Sequence, residues 1–155
     1  MVKPNDPAKA LPDLKGRKLV TPDPDSITAW MVRAMLRTSS IGANDLKVLT
    51  TRYQDAVPFY LEYGFADVGA TAANSVVKEW TDKGGKVFLK SRSVPIKYFI
   101  VSSKVSADEQ ERIQRALVTL AQSDQGKQVL AAMGYRGFVT PDHAVDTSAI
   151  AWLGL

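Results

Sequence analysis

The chain has 155 residues, 45% of them hydrophobic and 23% charged, which is the balance of a folded globular protein with one sizeable core and not of a disordered chain. It has no cysteine, which excludes disulfides, thiolate metal sites and cysteine nucleophiles, and no apolar run of about 18 residues that could cross a membrane as a helix. The net charge of +4 is spread thinly from Lys3 to Arg136, with no run denser than "KSR" at 90–92, which argues against nucleic-acid binding and suits a small anionic ligand.

Residues 1–13 read as an extended lead-in, because Pro4, Pro7 and Pro12 forbid a continuous helix, and Gly16 then permits a turn. The lead-in lacks the apolar core of a signal peptide, so export would require a leader outside this sequence. "RKLV" (17–20) predicts a strand, and "SITAWMVRAMLRTSS" predicts a helix with Ile27, Trp30, Met31, Ala34 and Met35 on one face and Gly42 at its stop. "LKVLT" (46–50) predicts the next strand. "YQDAVPFYLEY" predicts the next helix, closed by Gly64, with Pro58 near the first turn where a missing N–H has no intrahelical partner to lose.

"FADVGA" (65–70) reads as a buried strand and "AANSVVKEWTDK" as a helix with Ala73, Val76, Val77 and Trp80 on one side; Gly84 and Gly85 then turn the chain into a strand at "KVFLK" (86–90). This alternation predicts an α/β unit of three layers, a mostly parallel sheet covered by helices on both faces. One more strand is predicted at "PIKYFIVSS" (95–103), after which the chain turns helical. Ser106 and Glu109 form a capping box ahead of an apolar stripe at Ile113, Ala116, Leu117, Leu120 and Ala121. "SDQGKQVLAAMG" is a second helix stopped by Gly134, and "AVDTSAIAWLGL" a last one. Trp30, Trp80 and Trp152 fall on apolar faces and read as core.

The catalytic inventory is thin. His143 is the only histidine, on a loop beside Pro141 and Asp142, and with no second His or Cys as co-ligand it reads as a surface residue. No nucleophile elbow, phosphate loop or dinucleotide fingerprint is present, so neither an enzyme nor a bound metal or cofactor is expected. Asp23 and Asp25 in "TPDPDS" read as turn formers.

The helix that opens at Ser26 supports two readings. Ser26 is a helix cap, or the N–H groups of Ile27, Thr28 and Ala29 and the hydroxyls of Ser26 and Thr28 make a cradle for an anion at the carboxyl end of a strand. Thr71 either caps the following helix or donates to the same anion; Asp67 either accepts a structural hydrogen bond or contacts ligand. Tyr60 and Tyr63 read as packing and rim residues, and Tyr53 is close enough in sequence to Gln54 to line a cleft.

Four patterns in order, "DLKGRKLVTPDPDSITAW", "TRYQDAVPFYLEYGFADVGAT", "SVPIKYFIVSSKVSADEQERIQRAL" and "DQGKQVLAAMGYRGFVTPD", resemble the solute-binding proteins of phosphonate, phosphate and phosphite ABC transporters, which are type 2 periplasmic binding proteins. The resemblance runs from about Lys3 to Asp142. The family's anion-binding turn S-x-[ST]-G falls on Ser26, Ile27, Thr28 and Ala29, and its "HDA…G-x-x-D-x-G" pattern on Gln54, Asp55, Ala56, Gly64, Asp67 and Gly69.

The resemblance implies a non-enzymatic two-lobed clamp in the periplasm that closes on a phosphorus oxyanion and delivers it to a membrane permease. It implies that residues 14–92 are the second lobe, that 93–155 are the return strand and C-terminal helices that pack on a first lobe, and that most of that first lobe is missing from this sequence. Gln54 stands where the family has a histidine and can still donate; Lys97 stands where an aspartate would face an amine, which favours a plain anion; Ala29 replaces a glycine and tightens the turn. The alternative is a sensing or interaction domain that kept the fold.

Overall fold

The computed structural model describes residues 1–95 and 97–155. The chain divides into two units, Met1–Ser93 together with Ile150–Leu155, and Val94–Ala149.

In the first unit three strands, β1 (Lys18–Pro22), β2 (Lys47–Thr51) and β3 (Val68–Gly69), form a parallel sheet in the order β2-β1-β3. Helix α1 (Ile27–Thr38) carries the chain from β1 to β2, α2 (Val57–Glu62) carries it from β2 to β3, and α3 (Asn74–Asp82) follows β3. Because β1 is central, the two crossovers run in opposite directions, and the right-handed rule puts their helices on opposite faces. The two-residue period of a strand then feeds two cores. Leu19 joins Leu36 of α1 with Leu14, Ile41 and Val68, whereas Val20 joins Val57 and Leu61 of α2 with Val76 and Trp80 of α3. Gly69 is required by this packing, since a Cβ there would stand 2.5 Å from Val57 Cγ1.

Several elements differ from the sequence expectation. Of the predicted stripe of α1 only Ala34 is fully buried, with Thr28, Ala29 and Leu36 the other buried residues; Ile27, Met31 and Met35 are partly buried, and Trp30 is partly buried beneath the Arg33 guanidinium, 4.2 Å from its ring. Trp152 is likewise only partly buried, under Arg92, while Trp80 is core. The stop of α1 falls on Ser40, which takes the left-handed conformation (φ 54°) two residues before Gly42; the N–H groups of Ser40 and Ile41 bond back to Arg37 and Leu36.

The predicted strand at 86–90 shrinks to one antiparallel bridge between Lys86 and Val2. Among the described residues of 95–103 no strand forms, and Ile100 is 87% exposed; residue 96 lies outside the described residues. An apolar β-branched run is only a candidate strand, because its N–H and C=O groups need a neighbouring ladder before it can order as one.

The lead-in is built into the first unit. Val2 exchanges backbone hydrogen bonds with Lys86 (2.9 and 3.0 Å), its carbonyl also accepts from Trp80 Nε1 (3.0 Å), and Leu14 sits in a short 3-10 turn at Leu11–Leu14 with its side chain buried. Asp6 and Arg17 form a two-pronged ion pair, Nη1 to Oδ1 at 2.9 Å and Nη2 to Oδ2, that fastens the lead-in to the start of β1.

The second unit is helical. In α4 (Ala107–Thr119) the capping box is present: Ser106 Oγ accepts from Glu109 N–H (3.4 Å) and donates to Glu109 Oε2 (2.8 Å). Helix α5 (Asp124–Ala132) is capped by Ser123 and followed by Gly134 at φ 73°. Helix α6 (His143–Leu153), which belongs to the second unit only up to Ala149, starts where Asp142 Oδ1 accepts from the amides of Ala144 and Val145, so His143 stands exposed in a first helical turn and not on a loop.

The Arg17 guanidinium holds the Asp6 carboxyl below its ordinary range. A depressed carboxylate contributes stability that is complete above the unfolded value of about 3.9 and is lost as pH falls through the lower folded value. Urea unfolding at pH 7 and at stepwise lower pH should therefore show stability declining below about pH 4. Asp6→Asn should lower the neutral-pH value by about 1–2 kcal/mol and flatten the decline, whereas an unchanged acid profile would remove the pair from the account.

Candidate functional site

Parallel pairing brings the strand ends together. In register, Pro22 lies opposite Thr51 and Val20 opposite Gly69, so the loops that leave β1, β2 and β3 all emerge at the carboxyl edge of the sheet. Ser26, Gln54 and Thr71 lie in those three loops, and ligands of open α/β sheets bind at this edge.

The β1 loop is held by its own aspartate. Asp23 Oδ1 accepts from Asp25 N–H (2.9 Å) and its carbonyl accepts from Ser26 N–H (2.9 Å), while Arg33 reaches back to the Pro24 carbonyl (2.8 Å). Asp23 is thus a turn former, as its residue type predicts. The turn delivers Ser26 to the N-cap position, where its Oγ accepts from Ala29 N–H (3.2 Å). One of the three amides expected to face an anion is therefore tied off by a cap. The amides of Ile27 and Thr28 have no acceptor among the described residues, and no acidic side chain occupies the first turn of α1. Two donors and the positive end of the helix dipole remain free.

Thr28 carries the second observation. It is 5% exposed, and its Oγ1 is a buried polar atom without a hydrogen-bond partner among the described residues. A buried hydroxyl left unpaired costs about 1–3 kcal/mol, an expense ordinary cores avoid.

Gln54 and Thr71 are brought together across the end of β1. Gln54 Oε1 accepts from Thr71 Oγ1 (2.8 Å) and from Ala72 N–H (2.6 Å). A backbone N–H can only donate, so the amide oxygen is the atom facing it, and the two Nε2 hydrogens stay available. Thr71 also accepts from Ala73 N–H (3.1 Å), so it serves as a loop brace. Tyr53, 60% exposed, precedes Gln54 with the Arg52 guanidinium 5.5 Å from its ring. Asp67 belongs to the other end of the sheet, accepting from Lys18 N–H (2.8 Å) at the start of β1. Lys97 lies in the second unit, where its ammonium is 3.3 Å from the Tyr135 hydroxyl and 4.9 Å from that ring's centre.

Thr28 and Thr71 also line one cavity of about 320 Å3, with Met31 and Met35 of α1, Val77 of α3 and Phe88. The sequence reading assigned Met31 and Met35 to the packed face of α1; their spacing from Thr28 by three and seven residues was the available sign that all three share a stripe.

Residues 1–145 match the family described as ABC transporter, phosphonate, periplasmic substrate-binding protein. No curated protein matches the chain. Among solved structures, the fold is similar to the protein XAC2383 of Xanthomonas citri bound to ATP (TM-score 0.80, 15% identity, 99% of this chain and 64% of that one). It is also similar to the periplasmic aliphatic sulphonate binding protein SsuA of Escherichia coli (0.58, 18%, 97% and 53%) and to the periplasmic sulfonate-binding protein SsuA of Methylobacillus flagellatus (0.59, 17%, 97% and 48%). The chain thus spans about half to two thirds of the length of these structures.

Replacing Thr28 by valine keeps the shape and removes the orphaned hydroxyl. Thr28→Val should leave urea stability unchanged or raise it by up to about 1 kcal/mol. A loss of more than that in the same measurement would mean that the hydroxyl has a structural partner.

Proposed function

Since this chain belongs to the family of periplasmic substrate-binding proteins of phosphonate ABC transporters, we propose that it binds a phosphorus oxyanion, a phosphonate, phosphate or phosphite, at the carboxyl edge of its sheet. The observation that carries this reading is the buried, unpartnered hydroxyl of Thr28 beside two amides without acceptors at the opening of α1. A tetrahedral oxyanion supplies what those groups lack: several acceptor oxygens within one radius and a negative charge for the helix dipole.

Each residue then has a task. The amides of Ile27 and Thr28 and the Thr28 hydroxyl donate to the anion. Ser26 holds the turn as acceptor from Ala29 and keeps its own hydroxyl hydrogen for the ligand. Gln54 offers Nε2, oriented by Thr71 and Ala72, in place of a histidine's N–H; a neutral amide binds without a pH-dependent charge. Tyr53 stands exposed beside Gln54 and shapes the rim, whereas Ala29 is buried and acts only through the Ser26 cap it donates to. A role for Lys97 follows from the resemblance alone. No bond is made or broken in this scheme: the protein acts by differential affinity, a second lobe closing over the anion and the closed form being the one a permease receives. Periplasmic location and partnership with an ABC permease belong to the same proposal.

Amide NMR of the full chain titrated with phosphate, phosphite and methylphosphonate tests the reading. The signals of residues 26–28 and the Gln54 side chain should shift in saturable fashion, and Thr28→Val should weaken binding about tenfold. Shifts confined to other residues, or none with any of the three anions, would falsify the assignment.

A further inference from the structure

Thr28 of the proposed anion site also lines a cavity larger than an inorganic anion needs, and most of that cavity's lining is apolar. Thr28, Met31 and Met35 follow one another along one stripe of α1, so the unpaired hydroxyl heads a row of two flexible thioether side chains. Val77 and Phe88 share the lining, and Lys90 adds a cationic side chain to it. The volume, about 320 Å3, lies within the range of small-molecule sites, which pair apolar walls with a few placed polar groups.

We propose that this cavity receives the organic substituent of the ligand, so that the class bound is a phosphonate bearing an apolar chain or ring of several carbons. The inference rests on the anion reading above and extends it. The head group meets Thr28 and the first amides of α1, and the substituent runs along the methionine stripe toward Phe88. Inorganic phosphate or phosphite satisfies the head alone and leaves the apolar walls without a partner. Methionine suits such a wall because its unbranched side chain adapts to substituents of different shape.

The test uses the full chain with 13C-methyl-labelled methionine, whose Met133 signal, from the second unit, serves as the internal reference. Inorganic phosphate, methylphosphonate, hexylphosphonate and hexanol are titrated separately, with the amides of residues 26–28 followed in parallel. Hexylphosphonate should bind at least about tenfold more tightly than methylphosphonate and should move the Met31 and Met35 methyls together with the amides. Phosphate should move the amides only. Equal affinity of the two phosphonates with both methyls still would overturn the inference and leave the anion site standing. Methionine shifts that hexanol reproduces, without any amide shift, would overturn it too, because the head would then have no anchor. Amides silent toward every phosphorus anion would instead remove the reading on which it rests.

Discussion

The central position of β1 is the constraint from which the rest of the first unit follows. Paired in parallel on both sides, it needs two crossovers, and those crossovers need opposite faces for α1 and α2. The same pairing brings the carboxyl ends of all three strands to one edge. Gln54, after β2, can then bond to Thr71 and Ala72, after β3, over the end of β1 from which α1 departs. Gly69 keeps this arrangement tight, because any side chain there would drive Val57 and α2 away from β3.

Placed on that frame, the opening of α1 divides its donors between one tied off within the fold and others left without a partner among the described residues. Ser26 satisfies Ala29 and so stabilises the helix, as an N-cap ordinarily does by about 1 kcal/mol. The amides of Ile27 and Thr28 and the Thr28 hydroxyl receive no such partner from the described residues. A buried hydroxyl left unpaired costs free energy, and the anion binding proposed for this site would offset that cost by supplying an acceptor. Membership in the family of periplasmic substrate-binding proteins rests on residues 1–145, and the likeness to solved structures shows the fold.

Legibility varied with how local the deciding interaction was. The turn at Asp23 and Asp25, the caps at Ser26 and Ser106, and the stops at Gly64 and Gly134 were readable, since each is decided by atoms a few residues apart. The stop of α1 was misplaced by two residues, because a serine tolerated a left-handed conformation for which glycine is the ordinary choice. Strands at 86–90 and, among the described residues, at 95–103 were overestimated for a different reason: their composition suits a ladder, and only neighbouring strands can provide one. Residues 1–13 were underestimated, since nothing in a proline-bearing segment announces that Val2 will lie in a core and that Asp6 will pair with Arg17.

By itself the sequence determined the alternation of strand and helix through the first unit, the helical character of the second, and the order of motifs that marks the family. These depend on side-chain periodicity and on hydrogen bonds closed within one or two turns of chain. Tertiary structure alone decided that Gln54 turns its oxygen toward Thr71, that the Thr28 hydroxyl is buried without a partner among the described residues, and that Thr28 lines a largely apolar cavity. Those facts depend on groups separated by tens of residues, and only the pairing of β1 with both of its neighbours brings such groups within bonding distance.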